Sequence, residues 1–164
     1  MLKPVKRGQS ITVISPSDPA IDRDNSPKRE GDDGKEKLAY ALDLTDGKFG
    51  GWSEKLRFHA GEQPTKFLVG VIPSAEMNLI QDECLSEEGT KFNELCWRSF
   101  CSSIRDIENF GGDMKIPKHK VDGIDYVSPA WLRRTFIGDL RDVAITIGFV
   151  AWQWNSLQET DIKN

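Results

Sequence analysis

Apolar and polar positions alternate over residues 5–15 (VKRGQSITVIS), with Ile11 and Val13 on one face and Ser10, Thr12 and Ile14 on the other. A period of two predicts a strand, which Pro16 and Pro19 stop. KLRFHA (55–60) and TKFLVGVIP (65–73) read as two more strands joined across the turn GEQP, the second ending at Pro73. KLAYALDL (37–44) fits a short helix or a strand, and the turn chemistry that follows at Asp46-Gly47 and Gly50-Gly51 favours the strand. A small antiparallel sheet over residues 5–72 satisfies this pattern.

Beyond Pro73 the period changes. Ser74 is a candidate N-cap for a helix carrying Ala75, Met77, Ile80 and Cys84. After SEEGT, a stronger helix places Phe92, Leu95, Cys96, Phe100, Ile104 and Ile107 on one stripe, flanked by Trp97 and Cys101 and ended by Gly111-Gly112. Residues 113–127 read as a polar linker or hairpin. Ser128-Pro129 then combines a capping serine with proline at the first helical position. From there Leu132, Phe136, Leu140, Val143, Ile147, Val150, Trp154 and Leu157 form one apolar seam, along which Gly138 and Gly148 weaken the helix and allow a bend. The fold class expected is α+β: a small antiparallel sheet from the N-terminal half packed with two or three helices from the C-terminal half.

The last helix is apolar on both sides. At about 100° per residue, Ile145, Phe149 and Trp152 lie roughly opposite Val143, Ile147, Val150 and Trp154. One face can pack on the sheet or the 90–110 helix. The other needs more of this chain or another chain, since each such side chain gives about 1.5 to 3 kcal/mol on burial. A central position in a three-helix core is one solution. A partner-facing seam of Ile145, Phe149 and Trp152, with Arg141 as a polar anchor, is the other.

Length and charge adjust this picture. A chain of 164 residues is expected to form a single domain, residues 1–164. From Asp18 to Lys37, twelve of twenty residues are charged and almost none is apolar, so this segment is expected to be a charged loop or arm, ordered only if something holds it. The apolar run after the first basic residues is too short for a secretory segment, and the ten residues from Val143 to Trp152 are about half a membrane span, so neither is expected. Cys84, Cys96 and Cys101 are odd in number and lie in helical patterns, which favours reduced, buried thiols.

Candidate chemistry is sparse. DRDNSPKREGDD superficially resembles a calcium loop, but Pro27 stands where the turn glycine belongs and Asp33 where glutamate does. His59 and His119 are sixty residues apart with no ligand-spaced partner. No nucleophile elbow or phosphate-binding glycine loop occurs. Neither metal nor cofactor is expected, and no catalytic residue. Residues 115–141 hold six basic side chains against three acidic ones, so Lys115, Lys118, Lys120, Arg133 and Arg134 are candidate nucleic-acid contacts, with Tyr126 and Trp131 for stacking. A formal net charge of −4 weighs against that alternative.

Three stretches, ITVISPSDPAID, PTKFLVGVIPSAEMNLI and VAITIGFVAWQWNSLQETDIKN, together resemble small accessory proteins of tailed bacteriophages encoded among head and tail morphogenesis genes. They cover about a third of the chain. The resemblance implies a non-enzymatic virion structural or tail-assembly protein. It would work by protein–protein interaction with other virion or assembly proteins or as a homo-oligomer. Its place would be the virion, or the host cytoplasm during assembly.

Overall fold

The structure, a computed structural model, describes residues 8–49 and 55–163, with side chains through Ser156. Residues 5–7 of the predicted first strand, the predicted turn at Gly50-Gly51 and the side chain of Leu157 lie outside the described residues.

The fold is α+β. Its main sheet has three antiparallel strands in the order β1 (Ser10–Ile14), β4 (Lys66–Gly70), β7 (Ile104–Glu108). Val13, Phe67 and Ile107 sit in register across it, all buried on the face that receives the helices. The third strand corrects the sequence reading. The stripe ending in Ile104 and Ile107 is not one helix: α3 (Phe92–Ser103) passes directly into β7. Buried isoleucines spaced three apart satisfy a helix in the sequence, and here a register shift between Leu68 and Val69 lets both Ile104 and Ile107 face the core of a strand.

The charged segment is not an arm. It folds back as a hairpin of β2 (Lys28–Glu30) and β3 (Glu36–Leu38), and its start is tied to residues 57–59. The holding groups are backbone and short polar side chains. The amide of Asp22 donates to the carbonyl of Arg57 at 2.9 Å, and that of His59 to Ala20 at 2.9 Å. The Asp18 carboxylate accepts from the amides of Ala20 and Thr65, both at 2.9 Å. Ala20 and Ile21, nearly the only apolar residues there, are both buried. Residues 55–60 accordingly do not pair with β4; Phe58 makes a single bridge to Ile21.

KLAYALDL is also corrected, to helix α1 (Ala39–Thr45). Its Tyr40 hydroxyl accepts from the Ile14 amide at 2.9 Å and donates to the Ile14 carbonyl at 2.8 Å. One side chain thus stands in for a neighbouring strand at the end of edge strand β1.

Helix α2 spans Ser74–Cys84, followed by a short hairpin of β5 (Leu85–Ser86) and β6 (Gly89–Thr90). Pro73, not Ser74, occupies the N-cap position, and no side chain caps this helix. The linker reading of residues 113–127 resolves as the hairpin β8 (Lys118–Val121) and β9 (Ile124–Val127), whose two-residue turn, Asp122-Gly123, has positive φ at both positions (51° and 80°). Ser128 does cap α4 (Pro129–Thr135), its hydroxyl accepting from the Trp131 amide at 3.5 Å.

The seam then breaks. Gly138 adopts φ +58°, and a separate helix α5 (Asp139–Lys163) follows in a new phase. Phe136 stays fully buried, whereas Leu140 is left substantially exposed. Helix α5 packs along α3 so closely that Gly148 lies against the Cys96 backbone. Near its end, Asn155 accepts from the Ile72 amide at 2.8 Å and donates to the carbonyls of Ala151 (2.8 Å) and Gly70 (3.4 Å), fastening α5 to the end of β4.

Candidate functional site

The apolar surplus of α5 has a destination within the chain. One face carries Ala144, Ile147, Val150, Ala151 and Trp154 into the core shared with the sheet, α1 and α4. The other carries Ile145, Phe149 and Trp152 against a second cluster of Ile72, Met77, Ile80, Cys84, Leu95 and Cys96, contributed by α2, α3 and the end of β4. Of the two arrangements the sequence leaves open for this face, cover from within the chain is therefore present, supplied by α2 and α3. Packing along α5, α3 turns Phe100 toward one core and Leu95 and Cys96 toward the other.

The cover is partial. Ile145, Phe149 and Trp152 all remain half-buried. Beside them Phe92, at the start of α3, is 49% exposed, its ring tilted against Phe149 with centroids 5.4 Å apart. Phe92 belongs to the apolar stripe by its period, but as the first residue of α3 it is left largely in solvent, which no sequence period reports. Arg141, the expected polar anchor, instead lies over the Trp97 ring at 4.5 Å from its centroid, a contact within the molecule.

The basic residues of 115–141 do not form one surface of free charge. Lys118 pairs with Asp106 and Lys120 with Asp125, both at 3.1 Å. Arg133 and Arg134 lie in the last turn of α4, and Lys115 is exposed in the loop before β8. Tyr126 is buried, its hydroxyl donating to the Val71 carbonyl at 2.7 Å, so it offers no open ring face for stacking. Among the described residues no cluster of metal-ligating side chains is found, and no helix is long and apolar enough to cross a membrane.

All three cysteines are free and buried. Burial pushes the Cys96 thiol up to about 12 and the Cys101 thiol up to about 11, the latter opposed by the nearby charges of Arg133 and Arg141. Such thiols are protonated and unreactive near neutrality. An unfolded thiol ionises near 9.0 while the folded ones hold their protons, so the stability gained from burying them is complete below that pH and is lost as pH rises towards 11 and 12. Urea unfolding should show a lower midpoint at pH 10 than at pH 8; an unchanged midpoint would contradict this account of the two thiols.

No protein-family profile, curated protein or solved structure matches this chain.

Proposed function

We propose that this protein is a non-enzymatic virion or assembly component of a tailed bacteriophage, working through protein–protein contacts made by the rim where α3 meets α5. The observation that carries this reading is the Phe92–Phe149 pair, an aromatic contact half in water on a face where Ile145 and Trp152 are also incompletely covered. An aromatic anchor at the edge of a packed cluster suits an interface, because the neighbouring core already fixes its rotamer and little entropy is left to lose on binding. The resemblance of three stretches to phage accessory proteins supplies the biological setting. Nucleic-acid binding through residues 115–141 draws less support, since Lys118 and Lys120 are already paired with carboxylates.

The test is incorporation into particles. Mass spectrometry of purified particles of the encoding phage should find the chain. Phe92→Ser should lower its incorporation by about tenfold or more, as expected for loss of an aromatic anchor, while leaving the urea midpoint of the free protein nearly unchanged. A chain found only as a free monomer, or one whose Phe92→Ser variant assembles normally, overturns the reading.

A further inference from the structure

A cleft of about 400 Å³ opens between the start of α2, the middle of α3, the β8–β9 hairpin and α4. Four separate elements converge there. Two guanidinium groups enter, Arg98 from α3 and Arg133 from α4, with the His119 imidazole of β8 beside them and Glu76 of α2 as the one carboxylate in the lining.

The two arginines differ in a way that matters for binding. Arg98 is held by Glu83 at 2.5 Å, with Glu94 further off at 4.0 Å, so its guanidinium is fixed in position and part of its charge is already balanced. Arg133 forms no ion pair with any described residue, although the chain as a whole carries more acidic than basic groups. A guanidinium that faces a cleft unpaired keeps all five of its donors for a ligand.

The remaining walls are largely apolar, and the Ser102 hydroxyl among them is already donated to the Arg98 carbonyl at 2.6 Å. Tyr126 is pinned through its hydroxyl to the Val71 carbonyl, and Pro73 and Pro129 supply surfaces with no amide hydrogen to satisfy. At the floor the Cys101 thiol is neutral and brings no competing negative charge. The volume falls in the range of small-molecule sites, where a few polar groups orient a ligand whose body is covered by apolar walls.

We propose that this cleft binds a small organic anion, a phosphate or carboxylate on an apolar body, with Arg133 as the principal ligand of the anionic group and Arg98 and His119 beside it. The site shares no residue with the Phe92–Phe149 rim, so it stands or fails separately from the assembly role.

Calorimetric titration of the full chain with phenyl phosphate, benzoate and inorganic phosphate tests this. One saturable site for phenyl phosphate or benzoate is expected, and which of the two binds more tightly identifies the anionic group. Inorganic phosphate should bind at least about fivefold more weakly than the better organic probe, because it leaves the apolar walls uncovered. Arg133→Ala should weaken binding about tenfold or more, the effect of removing a charge-assisted hydrogen-bonding partner, with an unchanged urea midpoint. Arg134→Ala, the next residue of α4 but turned about 100° round the helix and outside the cleft lining, should stay within about twofold of the parent, since it makes no direct contact with the ligand. No saturable binding of either organic probe overturns the proposal, as does equal weakening by the two arginine variants, which would mark diffuse surface charge. Inorganic phosphate binding as tightly as the organic probes would remove the claim for an organic ligand.

Discussion

Replacing Gly148 with alanine should destabilise the protein by about 3 kcal/mol, although alanine is the better helix former by about 1 kcal/mol. A Cβ at this position would lie 1.8 Å from the Cys96 carbonyl oxygen, 2.7 Å from its carbon and 3.2 Å from its Cα. The obstacle is backbone, so no change of rotamer relieves it, and α3 and α5 must move apart. Both apolar clusters suffer when they do, because Phe100 and Ile147 meet on one side of this contact and Cys96 and Phe149 on the other. Overpacking at a helix crossing therefore outweighs propensity. Urea denaturation should show a lower midpoint at an unchanged slope. A Gly148→Ala protein at least as stable as the parent would mean that α3 and α5 do not approach as closely as described.

That glycine also marks what periodicity could and could not report. In the sequence, Gly148 reads only as a weak point along a helix; its value lies in a partner helix fifty residues earlier, which no local pattern contains. The two-sided apolar pattern of the last helix was legible, and so were Ser128-Pro129 as a helix start, the strands around Val13 and Phe67, and the burial of the cysteines. What covers Ile145, Phe149 and Trp152 was not, because that depends on how α2 docks. The charged segment 18–37, expected as a loop or arm ordered only if something holds it, is held by groups that its composition does not reveal. Its composition lacks apolar area, but its order comes from backbone pairing with residues 57–59 and from Asp18 and Ser26, whose short side chains bond main-chain groups. Hydrophobicity does not register such bonds.

The candidate sites divide along the same line. The aromatic rim is half visible in the sequence: the period sets Phe149 and Trp152 on one face of the last helix, while Phe92 is only one member of an apolar stripe on another helix, with nothing to join it to them. The cleft was not visible at all, because Arg98, His119 and Arg133 come from three elements and no spacing in the chain joins them. Arg133 was singled out only as one of several basic residues. Its distinction, an unpaired charge facing a cavity, is a property of tertiary placement.

The break between α4 and α5 gives the second large effect. On the continuous seam read from the sequence, Phe136 and Leu140 are successive members and should matter about equally. Gly138 separates them in the structure, and their surroundings diverge. Phe136 is fully buried at the centre of an aromatic group: its ring stacks on Phe110 at 5.3 Å and meets Phe100 and Phe67 edge-on at 4.9 and 5.9 Å. Phe136→Ala removes these contacts together and leaves a cavity walled by sheet and helices that cannot collapse independently, so it should cost about 3 to 5 kcal/mol. Leu140 is 38% exposed, and Leu140→Ala should cost less than about 1 kcal/mol, because water already reaches much of the side chain. Near-UV circular dichroism should weaken in the first variant and persist in the second, since only the first disturbs the ring cluster. Equal losses of stability from the two substitutions would restore one uninterrupted helix and remove the turn at Gly138 on which the placement of α5 depends.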